Sequence, residues 1–117
     1  MTKPNDLPLY LSLYKLLQYL YHLIHNFPKE YKYTLGQSIL DLGWQTLDTV
    51  ILSNLLPNHQ KASKISQASA MFDQLKTRLR MAHELKLISD KKYAFVIEQN
   101  EEIGKMMSGW LKWAQKQ

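Results

Sequence analysis

A chain of 117 residues with 45% apolar and 11% aromatic side chains makes one globular domain with a modest core, not a disordered tract. Fifteen Lys and Arg against ten Asp and Glu give a net charge of +5 and a pI near 9.4, which points toward polyanionic partners. The absence of cysteine excludes disulfides, thiolate metal sites and a cysteine nucleophile, and it suits a cytoplasmic protein.

The amino end, MTKPNDLPLY, carries Asp6 and two prolines before the first apolar run, which does not fit a signal peptide. No stretch reaches the ~18 to 20 apolar residues of a membrane span. Residues 1–7 read as a loose tail and residues 8–117 as one domain. From Pro8 to Asn26 the chain reads as a helix with proline at its first position. Leu9, Leu13, Leu16, Leu20, Leu23 and Ile24 share one face, flanked by Tyr10, Tyr14 and Tyr21. Phe27-Pro28 ends this helix, because proline cannot continue it and constrains the residue before it.

A second helix runs from Thr34 to Asn54 with two adjoining apolar faces, Leu35/Ile39/Leu42/Thr46/Val50 and Leu40/Trp44/Leu47/Ile51. That arc is wider than one bundle seam needs. Gly36 and Gly43 fall in line, although a mid-helix glycine costs roughly 1 kcal/mol against alanine. They mark a close approach by a neighbour or, for Gly36, a helix end. After Leu56-Pro57, a third helix spans Lys61 to Leu87, with Ile65, Ala68, Phe72, Leu75, Leu79 and Ala82 on one arc. Ser89 reads as the N-cap of the fourth, with Asp90 in the favourable first turn. Its apolar set is Tyr93, Val96, Ile103, Met107, Trp110, Leu111 and Ala114, widened by Met106 and Trp113. Nothing alternates with period two. The fold class is therefore all-α, an up-down-up-down four-helix bundle. The apolar excess on the second and fourth helices predicts an oligomer; the alternative leaves Trp44 and Trp113 half-exposed.

Charge concentrates on the third helix. Between Lys61 and Lys86 six basic residues (Lys61, Lys64, Lys76, Arg78, Arg80 and Lys86) face two acidic ones, Asp73 and Glu84, a local net of +4. Lys76 and Arg80 stand one turn apart in a row beside the core arc. Spacing alone leaves two readings open: contacts to phosphates, or ion pairs with Asp73 and Glu84 along a solvated face. Arg78 and His83 have the Arg-x4-His spacing of HEPN ribonucleases, but Leu79 is apolar where those enzymes carry a polar residue. Five residues of helix also turn through ~500°, which separates the two side chains. His22 and His25 lack a carboxylate partner in sequence for metal binding. No glycine-rich phosphate loop or HExxH motif is present. These residues assign no catalytic, metal or cofactor site.

Three segments resemble a bacterial four-helix-bundle family. These are FPKEYKYTLGQ (Phe27 to Gln37), QLKTRLRMAHELKLIS (Gln74 to Ser89) and IGKMMSGWLKW (Ile103 to Trp113). The family includes proteins encoded in ribosomal-RNA intervening sequences and Avd, the accessory variability determinant of diversity-generating retroelements. The Gly-Trp ending is similar to the Avd branch. This resemblance implies a homopentameric barrel of bundles and a non-enzymatic role. It implies a reverse transcriptase and template RNA or DNA as partners; the residues themselves call for no membrane and no cofactor. It places the basic pair of the third helix on Lys76 and Arg80; Lys61, Lys64 and Lys86 are rim contacts and Arg78 a weaker one. The alternatives are a HEPN-like ribonuclease and an intervening-sequence-type packing module without a nucleic-acid role.

Overall fold

The computed structural model describes residues 7–117. The tail expected over residues 1–7 lies outside the described residues except for Leu7, which packs against the core. Four long helices, α1 (Pro8–His25), α3 (Leu35–Leu55), α4 (Lys61–Glu84) and α5 (Asp90–Ala114), are joined by short links. One of these links contains a single-turn helix, α2 (Lys29–Lys32). No strand occurs among the described residues, as the helical periodicity requires. α1 packs on α3 and α5, and α4 closes the ring by packing on the same two, so the bundle is a rod of 45 × 23 × 21 Å. No described helix is long and apolar enough to cross a membrane.

The core is the set of residues that recur every three or four positions. Leu9, Leu13, Leu16, Leu20, Leu23 and Ile24 of α1 meet Ile39, Leu47 and Val50 of α3 and the whole predicted arc of α4. Thr46 and Ser53 are also buried, and their hydroxyls donate to the carbonyls of Leu42 and Thr49, each at 2.7 Å. That back-bonding removes the cost of a hydroxyl in an apolar column. The two glycines of α3 face α1. A Cβ on Gly43 would lie 2.7 Å from Leu17 Cδ1, and one on Gly36 would lie 2.8 Å from Ile24 Cγ2 and 3.2 Å from the Tyr31 carbonyl. Both readings of Gly36 hold, since it is the second residue of α3 and is also tightly approached. Gly109, by contrast, has no atom within 4 Å of an added Cβ. Gly109→Ala is therefore expected to raise stability by about 0.5–1 kcal/mol. Gly36→Ala lowers it, because overpacking costs about 1–3 kcal/mol and a backbone carbonyl cannot yield. Urea denaturation followed by circular dichroism checks both signs.

The ends of α4 and α5 have specific causes. α4 stops at Glu84, three residues before the sequence expectation of Leu87. Lys86 adopts φ 63°, and the amides of Lys86 and Leu87 donate back to the carbonyls of His83 and Ala82, both at 2.9 Å. This is the Schellman pattern that ends many helices, with lysine where glycine is usual. Ser89 caps α5 as expected, its Oγ accepting from the Lys92 amide at 3.2 Å. In the single chain Trp44 and Trp113 are each 42% exposed. Trp44 Nε1–H donates to the Tyr21 hydroxyl at 2.9 Å, which ties α3 to α1 across the outside of the bundle.

Candidate nucleic-acid interface

The six predicted cations divide into distinct environments. Lys76 and Arg80 project from the α4 edge that faces α5, where both line one groove. Lys76 Nζ lies 3.1 Å from Asp73 Oδ1 and 5.2 Å above the centre of the buried Phe72 ring. Arg80 Nε lies 3.5 Å from Glu84 Oε2. The two carboxylate pairings that helical spacing allows are thus both formed. All four side chains are well exposed, and pairs of this kind contribute only about 0.2–1 kcal/mol. A phosphate, gripped by two guanidinium donors, competes with them readily.

Arg78 leans the other way, onto α3. Its Nε donates to Ser38 Oγ at 2.7 Å and its Nη1 to the Gln74 carbonyl at 3.2 Å. Lys64 Nζ donates to Gln67 Oε1 at 3.2 Å, and Lys86 stands exposed at the far end of α4. Lys61 corrects the sequence expectation. It is 5% exposed, and its ammonium donates to the carbonyls of Ser53 at 3.0 Å and Asn54 at 2.7 Å. Those carbonyls belong to the last turn of α3, where the Ser53 carbonyl also accepts from the Leu56 amide at 3.3 Å, so Lys61 helps to cap that helix and is removed from the basic rim. Burial also pushes its pKa below the ordinary lysine value.

The groove holding Lys76 and Arg80 has a volume of about 520 Å³. Its α4 wall carries Asp73 and Thr77, and its α5 wall Tyr93, Ile97, Asn100, Glu101 and Gly104. His83 lies behind Tyr93 of that wall. Its Nε2 lies 2.8 Å from Asp90 Oδ1 and its ring stacks on Tyr93 at 4.1 Å. His83 therefore engages α5 while Arg78 engages α3 on the opposite flank, so the Arg-x4-His spacing does not build a shared site. His22 and His25 are exposed on α1, and no described group of three or more His, Asp or Glu residues could hold a metal ion.

Two features escaped the sequence reading. Asn100 occupies a core position of α5, at 5% exposure, and its side-chain oxygen has no hydrogen-bond partner. The available signal was an amide set between Val96 and Ile103 in an apolar stripe. On the other side of α5, Lys91 and Lys92 border a hollow with Phe95 and Tyr19, whose rings meet edge to face at 4.9 Å. Neither lysine has a carboxylate partner among the described residues. A larger hollow of about 690 Å³, at the end where Trp110 and Trp113 lie, has Lys61 as its cation, and that cation is already engaged by two carbonyls.

The sequence matches the model of the bAvd-like family over residues 10–114. The chain belongs to the bAvd-like family. The match reaches into all four long helices and includes the three segments that carry the resemblance, Phe27 to Gln37, Gln74 to Ser89 and Ile103 to Trp113. No curated protein and no solved structure matches this bAvd-like chain.

Proposed function

We propose that this bAvd-like chain is a non-enzymatic accessory protein of a diversity-generating retroelement. It binds template RNA or DNA, engages the reverse transcriptase, and acts in the cytoplasm. The observation that carries this reading is the family match over residues 10–114. The exposed Lys76–Arg80 row supports it, since backbone phosphates need positive donors and no sequence reading. In one chain that row is balanced by Asp73 and Glu84, so a single copy grips a polyanion weakly. Assembly into a homopentameric barrel repeats the row around an axis, and multivalency then raises the affinity without new contacts. The apolar surface left on the bundle, including Trp44 and Trp113, supports such an assembly.

The carboxylate pairs also favour a second reading, a packing module with no nucleic-acid role. Native mass spectrometry combined with titration of single-stranded RNA and DNA at two salt concentrations separates the two. The first reading expects a mass near five times the 13.8 kDa chain and binding that weakens steeply with salt. A monomer without salt-sensitive binding overturns it. The reverse transcriptase partnership is checked by asking whether a reverse transcriptase is encoded beside this gene and co-purifies with the protein.

A further inference from the structure

Asn100 sits where the α5 pattern calls for an aliphatic residue. Val96 and Ile103 beside it in the stripe are fully buried, and Met107 nearly so. An amide oxygen held there without a partner is a disfavoured state that native proteins keep for a reason. Asn100 is also part of the wall of the α4/α5 groove. Half a turn about its last side-chain torsion exchanges the amide oxygen and nitrogen, so it can offer the groove either an acceptor or a donor.

The surroundings restrict what can enter. Gly104 has no side chain, and nothing lies within 4 Å of where a Cβ would be, so that part of the groove is open. Tyr93 and Ile97 supply apolar surface, and stacking on His83 holds the Tyr93 ring in place. Glu101 on the α5 wall and Asp73 on the α4 wall disfavour an anion inside, whereas Lys76 and Arg80 stand exposed on the α4 wall. Thr77 Oγ1 donates to the Asp73 carbonyl at 3.0 Å and keeps its lone pairs to accept. The volume of about 520 Å³ falls within the roughly 300–1,000 Å³ of small-ligand sites. A group that suits this arrangement is flat and neutral, has donors and acceptors along one edge, and is attached to a phosphate chain that stays outside.

We infer that the groove between α4 and α5 takes up one unstacked base of a single-stranded nucleic acid. Asn100 bonds the base edge while Lys76 and Arg80 hold the adjoining phosphates. This rests on the nucleic-acid reading above and gives it a substrate class, a single strand with its bases free. Every base offers a donor beside an acceptor, so the groove senses the presence of a base more than its identity.

The test uses the full-length chain and fluorescence anisotropy with a labelled single strand of RNA and the same strand carrying abasic sites. The wild-type protein is expected to bind the intact strand about tenfold more tightly than the abasic one at equal salt. Asn100→Leu should bind both strands alike, retain the salt dependence, and melt at an unchanged or higher temperature. Gly104→Leu fills the groove from the next turn of α5 while keeping the Asn100 amide in the chain, and should also erase the difference, which decides the matter if Asn100→Leu does not fold. Equal binding of the two strands by wild type overturns the inference but leaves the proposed function standing, as does persistence of the difference in Gly104→Leu. Failure of wild type to bind either strand overturns both.

Discussion

Lys76→Glu combined with Arg80→Glu is expected to abolish salt-sensitive nucleic-acid binding while leaving the bundle folded and its native mass unchanged. Each cation that contacts a phosphate releases a counterion on binding, so losing two should reduce the slope of log affinity against log salt by about two. Reversal adds repulsion, and at low salt a drop of two orders of magnitude or more follows, on the order of 3 kcal/mol. The fold loses little, because both side chains are exposed and their carboxylate pairs contribute only about 0.2–1 kcal/mol each. The new glutamates do meet Asp73 and Glu84 at helical spacing, a small further penalty. Anisotropy titrations across a salt series, with circular dichroism and native mass on the same samples, check the result. Unchanged affinity in the double variant would remove Lys76 and Arg80 from the interface and favour the packing-module reading. Arg78→Glu is a poor substitute, since it breaks the bond to Ser38 and mixes stability with binding.

Lys61→Met is expected to destabilise the protein without weakening nucleic-acid binding. Methionine retains much of the apolar stem, but the Ser53 and Asn54 carbonyls lose the bonds from the ammonium. Leaving charge-assisted bonds unmade at a buried helix end costs about 2–3 kcal/mol. For a domain of this size that lowers Tm by roughly 10–15 °C. The pH dependence has a definite sign. Burial lowers the Lys61 pKa in the folded state, so between that lowered value and the ordinary lysine value the unfolded chain binds more protons. Wild-type stability attributable to this group therefore rises with pH through that alkaline window and is flat below it. The rise should be missing from Lys61→Met when urea midpoints of the two proteins are compared across the window. If the variant keeps full stability, the cap assigned to Lys61 is wrong.

The fold was legible where a residue has one task. The stripes Leu9 to Ile24 and Ile65 to Ala82 only bury surface, so their spacing identifies the helices and the faces turned inward. Ser89 was legible as a cap for a similar reason, because its hydroxyl acts on its own backbone neighbourhood. Lys61 was not, since a lysine at a helix start normally reaches water. Its fate depends on carbonyls seven and eight residues earlier that meet it only after the Pro57 link folds back. The end of α4 was misplaced because the residue that turns the chain is Lys86, not a glycine. At the candidate site, spacing offered both phosphate contacts and carboxylate pairs for Lys76 and Arg80, and the single chain forms the pairs. Asn100 was passed over because an amide is ordinarily a surface residue, although its place between Val96 and Ile103 in the α5 stripe signalled burial.

The left-handed turn at Lys86 has a bearing on how this scaffold could be re-engineered. For any residue with a Cβ that conformation is disfavoured by roughly 1–2 kcal/mol, a strain glycine does not feel. A designer seeking a hardier scaffold would begin at this position. The same edit would erase a cation from the tip of α4, so robustness and grip are set against each other at one backbone torsion.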